Sequence, residues 1–137
     1  MLYLDSSALA KLYITEPGGQ QVRALAEANR GRLLTSVVTW AEVVSALARS
    51  RREERISRQE YQLQRRAFTA DWVALHVVSA TVPVLAPAER LIERYGLRAY
   101  DAIQLCSALW IGRPVFACFD EGLRRAAAVE GLPVAPD

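Results

Sequence analysis

The chain has 137 residues, 52% of them hydrophobic and 23% charged, with a formal net charge of +2; this balance suits one packed domain over residues 1–137 and excludes disorder or a coiled coil over most of the length. Its two cysteines, Cys106 and Cys118, stand among apolar neighbours without metal-ligand spacing, which suggests neither a disulfide framework nor a zinc site. No basic leader opens the chain, and the longest uncharged stretch, Trp72 to Ala88, is broken by His76, Pro83 and Pro87, so a soluble, cytoplasmic protein is expected.

In chain order, Leu2 to Asp5 forms a short apolar strand, and a helix from about Ser7 to Ile14 stops before Glu16-Pro17-Gly18-Gly19. A second helix, Gln20 to Ala28, closes at Asn29-Arg30-Gly31 and precedes a second strand, Leu33 to Ser36. From Val38 to Arg52 the residues Trp40, Ala41, Val44, Leu47 and Ala48 recur at helical spacing. Ser57 followed by Glu60 has the spacing of a capping box, which opens a helix running to about Trp72. After a turn region a helix from about Thr81 to Tyr95 is expected, disturbed at Pro87 and ended by Gly96. Residues 100–111 read as a helix apolar nearly all round and therefore central. A strand from Val115 to Phe119 and a helix from Glu121 to Val129 precede the short apolar tail. Strands alternating with helices predict a three-layer α/β/α sandwich around a mainly parallel sheet.

The functional signal lies in four acids set in apolar surroundings, where carboxylates are rare unless partnered. Asp5 is the only charged residue in positions 1–10, Glu42 the only one in 33–48 and Asp101 the only one in 99–112, while Asp120 directly follows the apolar run VFACF. Asp5 and Asp120 also suit N-caps between strand and helix, and Asp101 suits the positive end of its helix. Glu42 sits inside its helix with Val38 and Ala46 four residues to either side, so no local ion pair is available to it. It either faces solvent or receives a group from another element.

On a parallel sheet these positions converge on the carboxyl ends of the strands, where open α/β sheets bind ligands. Clustered carboxylates repel unless a cation neutralises them, and hard oxygen ligands select Mg2+ or Mn2+ over zinc. Magnesium commonly shares its shell with substrate phosphate, which points to phosphodiester chemistry.

The segments DSSAL at Asp5, TWAEVVSAL around Glu42, LRAYDAIQLCSAL around Asp101 and FDEGLRRAA around Asp120 together resemble the PIN-domain nucleases, in particular the VapC-type toxins of toxin–antitoxin pairs. The resemblance implies a PIN-like fold, a Mg2+- or Mn2+-dependent endoribonuclease acting on RNA, a homodimer, and a cognate antitoxin that blocks the active site. It places Asp5, Glu42, Asp101 and Asp120 at the family's acidic positions. On that reading Asp5, Asp101 and Asp120 hold the metal, and Glu42 orients or deprotonates the attacking water. Cys118 departs from the family pattern, which often has threonine or serine two residues before the fourth acid; Glu121, next to Asp120, is a candidate to share its role.

Residues 49–66 carry seven arginines and three glutamates, a segment that either guides RNA by phosphate contact or is a solvated face paired with Glu53, Glu54 and Glu60. A haloacid-dehalogenase-like phosphatase would need an acid where Ser7 stands and a downstream lysine, whereas Lys11 is the only lysine. The remaining alternative is a catalytically silent PIN-like module that binds RNA or a partner without cutting.

Overall fold

The computed structural model describes residues 1–137. Five parallel strands, β1 (Leu2–Leu4), β2 (Leu33–Ser36), β3 (His76–Val78), β4 (Val115–Ala117) and β5 (Val134–Ala135), lie in the order β3-β2-β1-β4-β5. The helices are α1 (Ser6–Ala10), α2 (Gly19–Ala28), α3 (Thr39–Arg52), α4 (Arg58–Trp72), α5 (Val82–Leu85), α6 (Ala88–Tyr95), α7 (Ala99–Trp110) and α8 (Glu121–Val129).

The two-residue period of the strands divides the interior in two. Leu2, Leu4 and Ala117 face a core completed by Leu9, Val22, Val43, Leu47 and Phe68 from α1 to α4. Tyr3 and Phe116 face the opposite core, with Leu91, Leu105, Cys106, Leu123 and Ala127 from α6 to α8. The expected α/β/α sandwich is therefore the observed one, with β1 at its centre. Between α3 and α4, Trp40, Phe68 and Trp72 pack ring to ring, with centroids 5.0 to 5.5 Å apart.

The structure departs from the sequence reading in its shortest elements. β3 and β5 span three and two residues, too few to show a period against their apolar surroundings. The helix expected over 81–95 is two helices, because Pro87 has no N–H to donate and serves as the N-cap of α6. The first helix ends at Ala10 rather than Ile14: the amides of Lys11, Leu12 and Tyr13 reach back three residues to Ala8, Leu9 and Ala10, tightening the chain into turns.

Glu130, at the C-terminus of α8, ties this helix to α6. Its carboxylate accepts two bonds from the Arg90 guanidinium, each 2.8 Å, and one from the Tyr95 hydroxyl at 2.7 Å. The Arg90 bonds hold Glu130 down at about 2, against the opposing effect of burial. A depressed carboxyl contributes stability above its ordinary value of 4.5 and loses it as the pH falls toward about 2. Discounted for the half-exposed Arg90, Glu130→Gln should cost about 1–2 kcal/mol and lower the Tm at neutral pH by roughly 3–8 °C. Melting curves should show the difference from wild type shrinking as the pH approaches 2; a pH-independent difference would mean that the ion pair is not its source.

Candidate active site

The strand order places a topological switch at the centre of the sheet: from β1 the chain moves outward through β2 to β3, then returns to the other side of β1 as β4. The loops leaving β1 and β4 therefore diverge, and a crevice opens between them. It is a cavity of about 720 Å³, lined by Ser6, Ser7 and Lys11 from the α1 region, Glu42 and Arg49 from α3, Arg98 and Asp101 from the start of α7, and Phe119 after β4.

Asp5 ends β1 beside this cavity and is only 3% exposed. It is the N-cap of α1: its Oδ1 accepts from the Ala8 amide at 2.8 Å and from the Ser7 hydroxyl at 2.7 Å. Ser7 Oγ also accepts from the Phe119 amide at 2.9 Å, so one hydroxyl links the exits of β1 and β4. Burial, reinforced by the nearby Glu42 charge, outweighs these bonds and raises the Asp5 carboxyl to about 6. Cys118 is fully buried next to it. Its sulfur lies 3.9 Å from Ser7 Oγ and 3.7 Å from the Asp120 carbonyl, and burial together with the Asp5 charge holds the thiol well above its usual range. Where the family pattern often has a hydroxyl, this chain has an uncharged thiol.

Glu42 lies in the first turn of α3, and the group that reaches it is the Gln104 amide from α7, donating to Oε2 at 2.8 Å. Asp101 lies in the first turn of α7 and accepts from Arg98 Nε at 2.9 Å. Glu42 and Asp101 thus share the cavity wall, with Asp5 behind Ser6 and Ser7. Asp120 stands apart: exposed, it caps α8 by accepting from the Leu123 amide at 2.8 Å, and its charge reaches the cavity through Arg98. Glu121 is exposed and pairs with Arg125. The acids facing the cavity offer oxygen donors, the kind that hard divalent cations take. No three His, Cys, Asp or Glu side chains converge into one ligand set, however, and the Arg98 guanidinium occupies one Asp101 oxygen.

The PIN domain family profile matches residues 2–129. This chain belongs to the PIN-domain family. Ribonuclease VapC45 of Mycobacterium tuberculosis is 34% identical to this PIN domain over 138 aligned positions, which cover 99% of this chain and 95% of the relative. Among solved structures, VapC20 of Mycobacterium tuberculosis, described as a sarcin-ricin loop cleaving toxin, superposes with a TM-score of 0.73 at 17% identity, covering 99% of this chain and 100% of that one. A toxin–antitoxin complex from Klebsiella pneumoniae gives 0.68 at 18% identity over 99% and 97% of the two chains. These superpositions confirm the PIN fold.

The residues missed in the sequence are Arg98 and Gln104. Arg98 precedes Asp101 by one helical turn, a spacing that brings side chains together. Gln104 is a lone amide in an apolar helix, a signal overlooked when only charges are weighed.

The raised Asp5 carboxyl makes a signed prediction. A carboxyl raised from 3.8 to about 6 destabilises the fold progressively as the pH rises through that interval, and fully above it. Asp5→Asn retains an acceptor for Ala8 and Ser7 while removing the charge. In chelator near neutral pH the variant should melt higher than wild type, by on the order of 1–3 kcal/mol of stability, with the gain gone near pH 3.8. An unchanged or lower Tm near neutral pH would show that burial of this charge is not costly.

Proposed function

We infer that this PIN domain is a ribonuclease toxin of the VapC kind, cutting RNA phosphodiester bonds in the cavity between α1, α3 and α7. The observation that carries the reading is the convergence of Glu42 and Asp101 on one cavity beside the buried Asp5. The full-length likeness to a named VapC ribonuclease supplies the substrate class. Mg2+ or Mn2+ would be held by Asp5 and Asp101, with Asp120, the N-cap of α8 outside the cavity wall, contributing through a water. Bound there, the ion would supply charge neutralisation for the phosphate and a more acidic water.

The remaining steps belong to the chain. Ser7 fixes Asp5, and Arg98 must yield Asp101 to take up a phosphate oxygen instead. Glu42, which shares the cavity with Lys11, Arg49 and Arg98 but forms an ion pair with none of them, is placed to orient water and accept its proton. Removing metal with a chelator should abolish cleavage of total RNA, and Asp5→Asn or Asp101→Asn should lower it by about a hundredfold or more. Cleavage that persists in chelator, or in the Asp5 variant, would refute the assignment.

The arginine segment supports an RNA track leading away from the cavity. Arg49 lines the cavity, and Arg51, Arg52 and Arg58 line an adjoining cleft. The pairing that would make this a neutral solvated face is sparse: Arg55 takes Glu53 and Glu16, whereas Glu60 is engaged in the Ser57 capping box. Arg51→Ala with Arg52→Ala should reduce the slope of log affinity against log salt by about 1.4 for single-stranded RNA; an unchanged slope would place the phosphates elsewhere.

The Klebsiella pneumoniae relative is a toxin–antitoxin complex, and by likeness we assign this chain an antitoxin partner and a homodimeric state. Size measurement over a dilution series tests the latter, and a monomer throughout would refute it. The Arg98–Asp101 pair favours one competing reading, a silent PIN module that binds RNA without cutting. RNA binding with no metal-dependent cleavage would establish it.

A further inference from the structure

A buried polar chain runs through the centre of the molecule from the sheet to Glu42. Gln104 is 1% exposed, enclosed between α7 and the sheet, so each of its hydrogen-bonding groups must find a partner inside the protein. They do: the Tyr3 hydroxyl, from β1, donates to Gln104 Oε1 at 2.8 Å, and Gln104 Nε2 donates to Thr39 Oγ1 and to Glu42 Oε2, both at 2.8 Å. Thr39 and Thr35 are both fully buried. Thr35 Oγ1 lies 2.7 Å from the Leu4 carbonyl and 2.8 Å from Thr39 Oγ1.

The network admits one orientation of the amide. A carbonyl only accepts, so the single Thr35 proton goes to Leu4, and Thr39 supplies its own proton to Thr35. Thr39 Oγ1 must then accept from Gln104, which requires the Gln104 nitrogen on that side. On the other side the Tyr3 hydroxyl donates to the Gln104 oxygen. Rotating the amide by half a turn would set its oxygen against the Glu42 carboxylate, acceptor against acceptor. The backbone of β1 thus dictates, through the side chains of Thr35 and Thr39, which atom of Gln104 faces α3.

We propose that Gln104 is the positioning residue for Glu42: its amide, oriented by Tyr3 and Thr39, anchors Oε2 and leaves Oε1 as the oxygen presented to the cavity. No other side chain or amide of the protein donates to the Glu42 carboxylate. Without Gln104, Glu42 is a glutamate on a helix surface with its rotamers open. With it, one oxygen is fixed relative to the sheet that also carries Asp5. This assignment rests on the nuclease reading for its catalytic consequence, but not for the contact itself.

The test separates the two. In protein labelled with 15N-glutamine, without metal or RNA, the Gln104 side-chain amide should give two separated, slowly exchanging proton signals. Glu42→Gln and Tyr3→Phe should each shift that pair. A Gln104 pair indifferent to Glu42→Gln overturns the proposal, whatever the cleavage result. Single-turnover cleavage of an unstructured RNA oligonucleotide in Mn2+ supplies the second readout. Gln104→Met, which keeps the volume and loses the donors, should lower the rate by about tenfold, the worth of one hydrogen bond to a charged group. In the Glu42→Gln background the same change should have no further effect, because the two residues act as one unit; a purely structural loss would instead multiply with it. Equal losses in both backgrounds, or full activity of Gln104→Met, would overturn the positioning role. A wild type that cuts no RNA would overturn the nuclease reading, and the amide spectrum would still decide the contact.

Discussion

The site is organised around a charge held where water cannot reach it. Asp5 ends the central strand of a parallel sheet, and every neighbour of that strand end is fixed by the topology: β2 on one side, β4 on the other, α1 beginning immediately after. Desolvation of a carboxylate there is unfavourable, and the chain offsets it with an amide from α1 and the Ser7 hydroxyl. The offset is incomplete, which leaves the carboxyl raised to about 6. A strand end able to bind a cation needs this imbalance, since a fully neutralised carboxylate has little to gain from one.

Around Asp5 the remaining acids are held by different means and to different degrees. Glu42 is anchored from behind by Gln104, Asp101 is held from the front by the exposed Arg98, and Asp120 serves its own helix as a cap. Arg98 and Gln104 come from the same helix, α7, so its placement sets both the neutral anchor and the removable counter-charge. On the proposed nuclease reading this division has a use: Glu42 would be a base whose position does not change, and Asp101 a ligand whose partner can leave when substrate phosphate arrives.

Much of this was visible in the residues alone, for identifiable reasons. Long periodic elements such as α3 and α7 announce themselves through their apolar spacing, and an isolated acid within such a run, as at Asp5, Glu42 and Asp101, is anomalous in one dimension as well as in three. The N-cap alternative for Asp5 and Asp120 proved equally real: a strand-end aspartate in this fold is a cap by geometry whether or not it also binds a ligand. What one dimension conceals is long-range pairing. Tyr3 and Gln104 are separated by 101 positions and Glu42 and Gln104 by 62, and no spacing rule links them. β3 and β5 stay hidden because a strand of two or three residues is defined by the neighbour it pairs with, not by its composition.

The last strand has a role out of proportion to its length. Arg124, from α8, donates to the carbonyls of Cys118, Ala135 and Pro136 at 2.7, 3.1 and 2.7 Å, and the Cys118 amide in turn donates to the Ala135 carbonyl at 3.1 Å. The residue that packs against Asp5 is thus braced from the far side by a segment that the family profile, matching 2–129, does not include. A truncation at the matched boundary would leave the acids in place and remove the brace behind them. Arg124 would lose two of its three acceptors, and β4, whose exit borders the cavity, would become an open sheet edge.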